Sequence, residues 1–417
     1  MFTKHFVYFL IPIAIIFIAY QHPNVKLLYT VMTFFSESCI VENFRSMVNT
    51  TKQPYHTAHH GPVAEFKPGQ IKNLPETFSH KNQTYHLEDW LKSHWTTGLV
   101  ILKVESTTNA RLLFESYYLG NTRETKTISW SVGKSVVSAL IGIAISEGKI
   151  KSVEDNVTVY VPELKNTAYD GVKIKDVLQM SSGVIFDEDY DSFFSDINKM
   201  VFWIAIGGDI IDFVKTLHRD KEPGTVHNYI SIDTQILGMV LKGAIGQSLT
   251  SYLEEKIWSK AGFESDCHWL LDNEKSAIEL AFGTLNTCTR DYARFGWLYL
   301  NKGLSPFDGA RLIDSDWINE SITITSEHLK PNYPDRIGYG YQWWIPGKEN
   351  DSTQTDDDYL AIGVYNQFIY VNPNSGIVIA RNSANPNYNN EFDKINNVNV
   401  GETQFIAACR AIVKHYS

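Results

Sequence analysis

The longest apolar stretch in the body of the chain predicts a buried helix near its middle. Residues 136–145 read Val-Val-Ser-Ala-Leu-Ile-Gly-Ile-Ala-Ile, so apolar side chains occupy nearly every side of a helix drawn through them. Further helical patterns follow along the chain. They lie at 174–180, 200–206, 210–217, 234–245, 249–256 and 290–300. The middle of the chain is therefore expected to be rich in helices.

Strand patterns lie on both sides of this helical region. Residues 98–104 and 111–118 read as two paired strands, and 367–371 and 376–381 flank Asn-Pro-Asn-Ser, a strong β-hairpin signal. Residues 403–416 predict a closing helix. We therefore predict an α+β fold in which an antiparallel β-sheet, built from both ends of the domain, is flanked by helices and carries an inserted all-helical lobe.

The first 74 residues differ in character from the rest. Residues 6–20 are continuously apolar, so residues 1–25 are predicted to be an N-terminal membrane anchor or signal peptide. The absence of a clear cleavage site favours the anchor. Residues 26–74 lack strong periodicity and are predicted to be a linker and docking segment, with the folded domain at 75–417. We accordingly expect an exported protein, anchored in the inner membrane with its folded domain on the periplasmic side.

Composition narrows the possible partners. The net charge of −10 over 417 residues disfavours nucleic acid or an anionic membrane surface as the main partner. The histidines at 59 and 60 have no carboxylate or cysteine close by in sequence, so we expect no metal. The four cysteines show no zinc-binding spacing, and their pattern leaves free thiols and disulfides equally open. They are Cys39, Cys267, Cys288 and Cys409. The oligomeric state is also left open.

A serine and a lysine directly before the central apolar stretch suggest nucleophilic chemistry. Ser131 falls in the first turn of the predicted helix, where backbone N–H groups are free and the dipole favours negative charge. Lys134 shares its face, and a lysine made neutral by burial can act as the base for a serine nucleophile. The pattern S-x-x-K is common, however. Ser146 and Lys149 form a second copy beside a glycine typical of a helix end, and we expect that copy to be a surface turn.

Three motifs occur in an order that resembles a known family. They are Ser131-Val132-Gly133-Lys134, Tyr229-Ile230-Ser231 after Pro223-Gly224-Thr225, and Ala361-Ile362-Gly363 followed by Val364. With supporting stretches at 178–183, 291–296 and 338–344, the chain from about residue 75 onward resembles the serine β-lactamase-like hydrolases. That family includes class C β-lactamases, certain esterases and 6-aminohexanoate-oligomer hydrolases. Residues 187–190 and 363–367 make the chain most similar to the last branch.

The resemblance implies a role for each motif residue. Ser131 would attack a carbonyl and form an acyl-enzyme, Lys134 would accept its proton, and Tyr229 would pass that proton to the leaving group. The backbone N–H groups of Ser131 and Val364 would form the oxyanion hole. A further set of residues is expected to line the substrate cleft. These are Tyr190, Ser231, Gly363, Tyr365 and Gln367. No cofactor is expected.

Two departures from the family pattern narrow the expected substrate. β-Lactamases and D-Ala-D-Ala enzymes of the family usually carry Lys or His at the start of the third motif, where a cation meets the substrate carboxylate, but this chain has Ala361. Ser231 replaces the more frequent Asn. We therefore predict a hydrolase of small-molecule amides or esters. The alternatives are a penicillin-binding-type module that acylates without turnover, and a weak β-lactamase.

Overall fold

The computed structural model describes residues 33–69, 73–331, 337–348, 351–355, 357–393 and 398–417. The α-helices are α1 (Ile40–Arg45), α2 (Met47–Thr51), α3 (Leu87–Ser93), α4 (Gly133–Ser146), α5 (Ile174–Leu178), α6 (Asp196–Ala205), α7 (Ile210–Val214), α8 (Ser231–Ile245), α9 (Leu249–Leu253), α10 (Thr289–Leu300), α11 (Ser315–Ser321) and α12 (Val400–Tyr416). The strands up to the helical region are β1 (Tyr55–Ala58), β2 (Lys67–Pro68), β3 (Thr77–His80), β4 (Gln83–His86), β5 (Thr96–Ser106), β6 (Asn109–Tyr117) and β7 (Lys126–Ile128). Those after it are β8 (Cys267–Leu270), β9 (Leu285–Cys288), β10 (Ile337–Tyr339), β11 (Trp344–Lys348), β12 (Asp351–Thr355), β13 (Tyr359–Gly363), β14 (Gln367–Asn372), β15 (Ile377–Ser383), β16 (Phe392–Asp393) and β17 (Val398–Asn399).

The main sheet joins strands from both ends of the domain. Its order is β10-β11-β13-β14-β15-β5-β6-β2, with β12 paired to β11. All its pairs are antiparallel except β2 with β6. The predicted hairpin is β14–β15, and β15 pairs along β5 from Ile377 opposite Lys103 to Ser383 opposite Thr96. The predicted α+β fold is confirmed.

Both faces of this sheet are buried, which explains the continuous apolar pattern of β5. Val100 and Leu102 belong to the larger hydrophobic core, whereas Leu99 and Ile101 belong to a second core with residues of α3 and α12. On the first face, α10 packs across β14 and β15. A strand covered on both faces has no polar side, so its sequence runs apolar instead of alternating.

The inserted helical lobe lies between β7 and β8. It contains α4 to α9, and α8 packs against both α4 and α5. The predicted buried helix is α4, whose residues from Gly133 to Ala144 are all buried. A smaller sheet of order β1-β8-β9-β7 lies next to this lobe, and β7 leads from it directly into the turn before α4.

The described part of the segment predicted as a linker and docking segment contains secondary structure. Strand β1 pairs with β8 from Tyr55 opposite Leu270 to Ala58 opposite Cys267, and β2 adds an edge to the main sheet. Phe44 on α1 is 1% exposed within the larger core. The described part of residues 26–74 is thus folded onto the domain. Its weak periodicity reflects short elements whose partners lie far away in sequence.

The membrane prediction is corrected. No helix within the described ranges is long and apolar enough to cross a bilayer, so the predicted anchor and inner-membrane localisation are not supported. Residues 6–20, on which that prediction depended, lie outside the described residues. The cysteine alternatives are decided as well, because all four side chains are free thiols.

The contact of α10 with the sheet requires a glycine. A Cβ atom at Gly296 would lie 2.6 Å from Cγ1 of Val378 and 2.9 Å from Cγ2 of Ile369. Both neighbours are β-branched side chains held in a sheet and have little freedom to move. We expect Gly296→Val to lower the free energy of unfolding by about 2–3 kcal/mol through overpacking, measured by urea denaturation.

Val201→Ile is the matched control for that measurement. It adds a methyl group to a side chain on α6 that is 44% exposed, where substitutions usually change stability by less than about 0.5 kcal/mol. Equal stabilities of the two variants would contradict the packing argument.

Candidate active site

Ser131 lies in a tight turn between the small sheet and the buried helix. The turn Trp130–Val132 is a 3-10 helix that continues into α4, and Ser131 is 8% exposed. Trp130 adopts φ 43°, a left-handed conformation that is strained for a residue with a side chain. The N–H of Ser129 donates to the carbonyl of Leu285 at 2.7 Å, and its hydroxyl donates to the carbonyl of Trp130 at 2.8 Å. Ser129 is therefore bonded both to β9 and to the turn that carries Ser131.

Lys134 is buried on the first turn of α4. Its side chain is 1% exposed, and Nζ donates to the carbonyl of Phe282 at 2.6 Å and to Oγ of Ser231 at 3.2 Å. Burial lowers the pKa of Lys134 to about 7, against the opposing negative charges of Glu188 and Asp233. A large fraction of Lys134 is therefore neutral near pH 7, the state in which an amine can accept a proton.

Tyr229 lies close to both Ser131 and Lys134. Its ring centroid is 5.5 Å from Nζ of Lys134, and its ring packs against Trp344 at 5.2 Å. Withdrawal from water raises the pKa of the Tyr229 phenol well above its ordinary value, against the opposing effect of a hydrogen bond with the Ser131 side chain. The phenol therefore stays protonated at neutral pH and can act as a proton donor.

A carboxylate completes this group of side chains. Glu188 accepts hydrogen bonds from the Ser231 N–H (2.9 Å) and hydroxyl (2.5 Å), and from the Tyr190 hydroxyl (2.7 Å). Because Ser231 is the first residue of α8, the carboxylate also sits at the positive end of a helix dipole. A continuous chain of polar contacts thus runs from Lys134 through Ser231 and Glu188 to Tyr190.

Sequence reasoning did not assign Glu188 a role in the site. It noted the acidic stretch only as part of the resemblance, and Glu188 is 43 residues away from Ser231 in the chain. The available signal was a carboxylate adjacent to an aromatic residue in a loop. Such a pair is usually solvated, so it does not by itself indicate a buried contact.

The end of β13 lies against the serine turn. A Cβ atom at Gly363 would be 2.8 Å from the carbonyl oxygen of Ser129 and 3.1 Å from the backbone nitrogen of Ser131. A glycine is needed for this approach of two backbones. Val364 follows immediately and packs on the edge of the larger core. The backbone after Gly363 is thus placed beside the backbone of Ser131.

Two of the predicted cleft residues have other contacts. Gln367 is 1% exposed, donates to the carbonyl of Ser383 at 2.6 Å and accepts from Asn382 Nδ2 and the Ser383 N–H, both at 3.1 Å. Tyr365 is 6% exposed and packs its ring among other aromatic rings. The side chains of Gln367 and Tyr365 therefore pack around the β13–β14 turn and stabilise it. The side chains of Tyr190 and Ser231, in contrast, are both hydrogen-bonded to Glu188.

The fold is of the β-lactamase and transpeptidase type. A profile of the Beta-lactamase family matches residues 104–405, and the chain belongs to that family. A 6-aminohexanoate-dimer hydrolase from Paenarthrobacter ureafaciens is 26% identical over 313 residues, which are 72% of this chain and 75% of that protein. The resemblance inferred from the motifs is confirmed.

Solved structures agree with the family at the level of the fold. A Bacillus anthracis protein assigned as a 6-aminohexanoate-dimer hydrolase is similar with a TM-score of 0.76 and 21% identity, covering 92% of this chain and 95% of its own. A family VIII carboxylesterase is similar with a TM-score of 0.55 and 16% identity, covering 78% and 95% respectively. The protein is an enzyme of the β-lactamase-like serine hydrolases.

The environment of Lys134 predicts an unusual lysine titration. In protein labelled with ¹³C-lysine, we expect one lysine side-chain NMR signal to titrate near pH 7. This signal should be absent from Lys134→Met. Ordinary lysines titrate at about pH 10.4. The Glu188 charge raises this pKa. Glu188→Gln removes the charge, disfavours the ammonium form and moves the titration to lower pH.

Asp189→Asn is the control for this titration. It removes one carboxylate from the same loop, but the charges that act on the pKa of Lys134 are those of Glu188 and Asp233. A Lys134 signal that titrates with the other lysines, or a Glu188→Gln shift toward higher pH, would contradict the assignment.

Proposed function

We propose that the enzyme hydrolyses amide or ester bonds through an acyl-enzyme on Ser131. The observation that carries this proposal is the buried Lys134, whose pKa of about 7 makes a neutral amine available beside Tyr229 and Ser231. As Ser131 Oγ bonds to the substrate carbonyl carbon, neutral Lys134 accepts the hydroxyl proton. Tyr229 then supplies a proton to the leaving amine or alkoxide as the scissile bond breaks, and it regains one from Lys134, which returns to its neutral form.

The negative charge that forms on the carbonyl oxygen needs donors in place before the reaction. We assign these donors to the backbone N–H groups of Ser131 and Val364, and the close approach of Gly363 to the serine turn supports the assignment. Water then attacks the acyl carbon, with Tyr229 or Lys134 as the base. The ester bond to Ser131 breaks, the base gives the proton it took from water to Ser131 Oγ, and the acid is released.

Neutral amides and esters are the substrates that this site favours. The third-motif position at which related β-lactamases carry a cation is Ala361, a buried residue of β13 paired with Ile369. A substrate carboxylate therefore gains no ion pair from this residue. The similarity to a 6-aminohexanoate-dimer hydrolase supports small linear amides as the first compounds to test.

The nucleophile assignment predicts a large loss of activity in Ser131→Ala. We expect the kcat for p-nitrophenyl butyrate to fall by at least about 10³-fold, because the bond-forming oxygen is removed. The full chain is used, and hydrolysis is followed by p-nitrophenolate release. Intact mass spectrometry after mixing with the ester is expected to detect an acyl adduct on the wild-type protein alone.

The second S-x-x-K copy provides the matched control. Ser146 ends α4, and its hydroxyl donates to the carbonyl of Ile143 at 2.9 Å, so Ser146→Ala is expected to keep wild-type activity. Hydrolysis that survives in Ser131→Ala would overturn the mechanism. A stable adduct with a β-lactam and no turnover of any ester or amide would instead favour a penicillin-binding-type module.

Because residue 361 is alanine, we expect kcat/KM to depend little on whether the substrate carries a carboxylate. A hydrogen-bonded charge is worth about 1.5–3 kcal/mol, or roughly 10- to 150-fold in kcat/KM, and Ala361 supplies no such contact. We expect penicillin G and its methyl ester to be cleaved, if at all, with kcat/KM values within about threefold of each other. A preference of more than about tenfold for the free acid would show that another cation serves the carboxylate.

A further inference from the structure

Four aromatic rings meet directly behind the proposed oxyanion hole. The Phe35 ring stacks on Tyr365 with centroids 5.2 Å apart and an interplanar angle of 12°, and it lies 6.0 Å from Trp130. The Phe44 ring meets both Trp130 and Tyr365 edge-on at 5.2 Å. Trp130 and Tyr365 are themselves 5.7 Å apart. The two phenylalanines, from the segment predicted as a linker and docking segment, thus bridge two parts of the site.

The bridged residues flank the two proposed oxyanion donors. Trp130 precedes Ser131, and Tyr365 follows Val364. Both are in the left-handed region, Trp130 with φ 43° and Tyr365 with φ 61°. Residues with side chains hold such conformations only where their surroundings impose them. Here the surroundings of both rings include Phe35 and Phe44.

The segment that carries the phenylalanines is itself anchored. Nδ2 of Asn43 donates to the carbonyl of Phe34 at 2.8 Å, which ties the residues before α1 to the helix. Arg45 Nη1 donates to the carbonyl of Leu119 at 3.2 Å, and α1 packs near β7. Phe34 and Phe44 are buried, whereas Phe35 is 41% exposed. Phe35 can therefore be changed with little effect on the core.

We propose that Phe35 and Phe44 are positioning residues of the oxyanion hole. They hold the rings of Trp130 and Tyr365 together, and through those rings they fix the separation of the Ser131 and Val364 N–H groups. In this role they act on the reaction through the two residues they hold. The inference depends on the proposed function, because it assigns a purpose to the aromatic contact within that mechanism.

The experiment compares Phe35→Ala, Phe35→Tyr and Phe44→Leu in the full chain. Steady-state kinetics with p-nitrophenyl butyrate give kcat and KM, and thermal unfolding checks the fold. The inhibition constant of phenylboronic acid provides a readout specific for the oxyanion hole. A boronate bound to Ser131 is tetrahedral and places an oxygen where the oxyanion would lie.

We expect kcat of Phe35→Ala to fall by about 10- to 100-fold with KM nearly unchanged, because donors displaced by a fraction of an ångström lose their effect in the transition state. The inhibition constant of the boronate rises by a similar factor. Phe35→Tyr keeps the stacked ring and restores both values, and Phe44→Leu lowers kcat in the same direction. Phe307→Ala, which removes a ring that is 44% exposed elsewhere on the surface, leaves both values unchanged.

Three outcomes would overturn the inference, and they are distinguishable. A folded Phe35→Ala protein with wild-type kcat and boronate affinity, beside an active wild type, refutes the positioning role and leaves the proposed function intact. A wild-type protein that neither hydrolyses esters nor binds the boronate refutes both. A kcat loss matched by a lower unfolding temperature, with unchanged boronate affinity, shows a stabilising role only and also refutes the inference.

Discussion

The removal of one amine from water governs the chemistry of this site. Lys134 lies on a buried helix, and its Nζ has the carbonyl of Phe282 and the hydroxyl of Ser231 as hydrogen-bond partners in place of solvent. Burial of a charged ammonium is unfavourable, so the neutral form becomes accessible near pH 7. The Glu188 and Asp233 charges limit the shift. A base of moderate strength results from this balance between desolvation and attraction.

The site lies where the helical lobe meets the main sheet, and each of the two supplies a different part of the proposed mechanism. The helical lobe provides Lys134 and Ser231 on well-packed helices and Tyr229 in the segment that leads into α8. The main sheet provides the strand end at Gly363, where the lack of a side chain permits contact with the serine turn. Side chains that move protons are thus held by helices, whereas the proposed backbone donors come from a turn and a strand end.

The residues before β1 connect the serine turn with the end of β13. Phe35 and Phe44 contact the ring before the nucleophile and the ring after the β13 strand end, and β1 adds to the small sheet that leads into the serine turn. The catalytic domain is therefore larger than its motifs suggest. A fragment that began at residue 75 would lack the aromatic contacts of Phe35 and Phe44.

The sequence alone determined the family, the α+β class, the helical insertion and the terminal hairpin, because these follow from motif order and hydrophobic period, which are local properties. It also pointed to Ser131, Lys134 and Tyr229 through their motifs. Only the tertiary structure could bring Glu188 to Ser231, turn Gln367 into the sheet and place Phe35 on Tyr365. These contacts join residues distant in sequence, and a single chain carries no local pattern for them. The lowered pKa of Lys134 has the same origin, since burial is a property of everything that surrounds a residue.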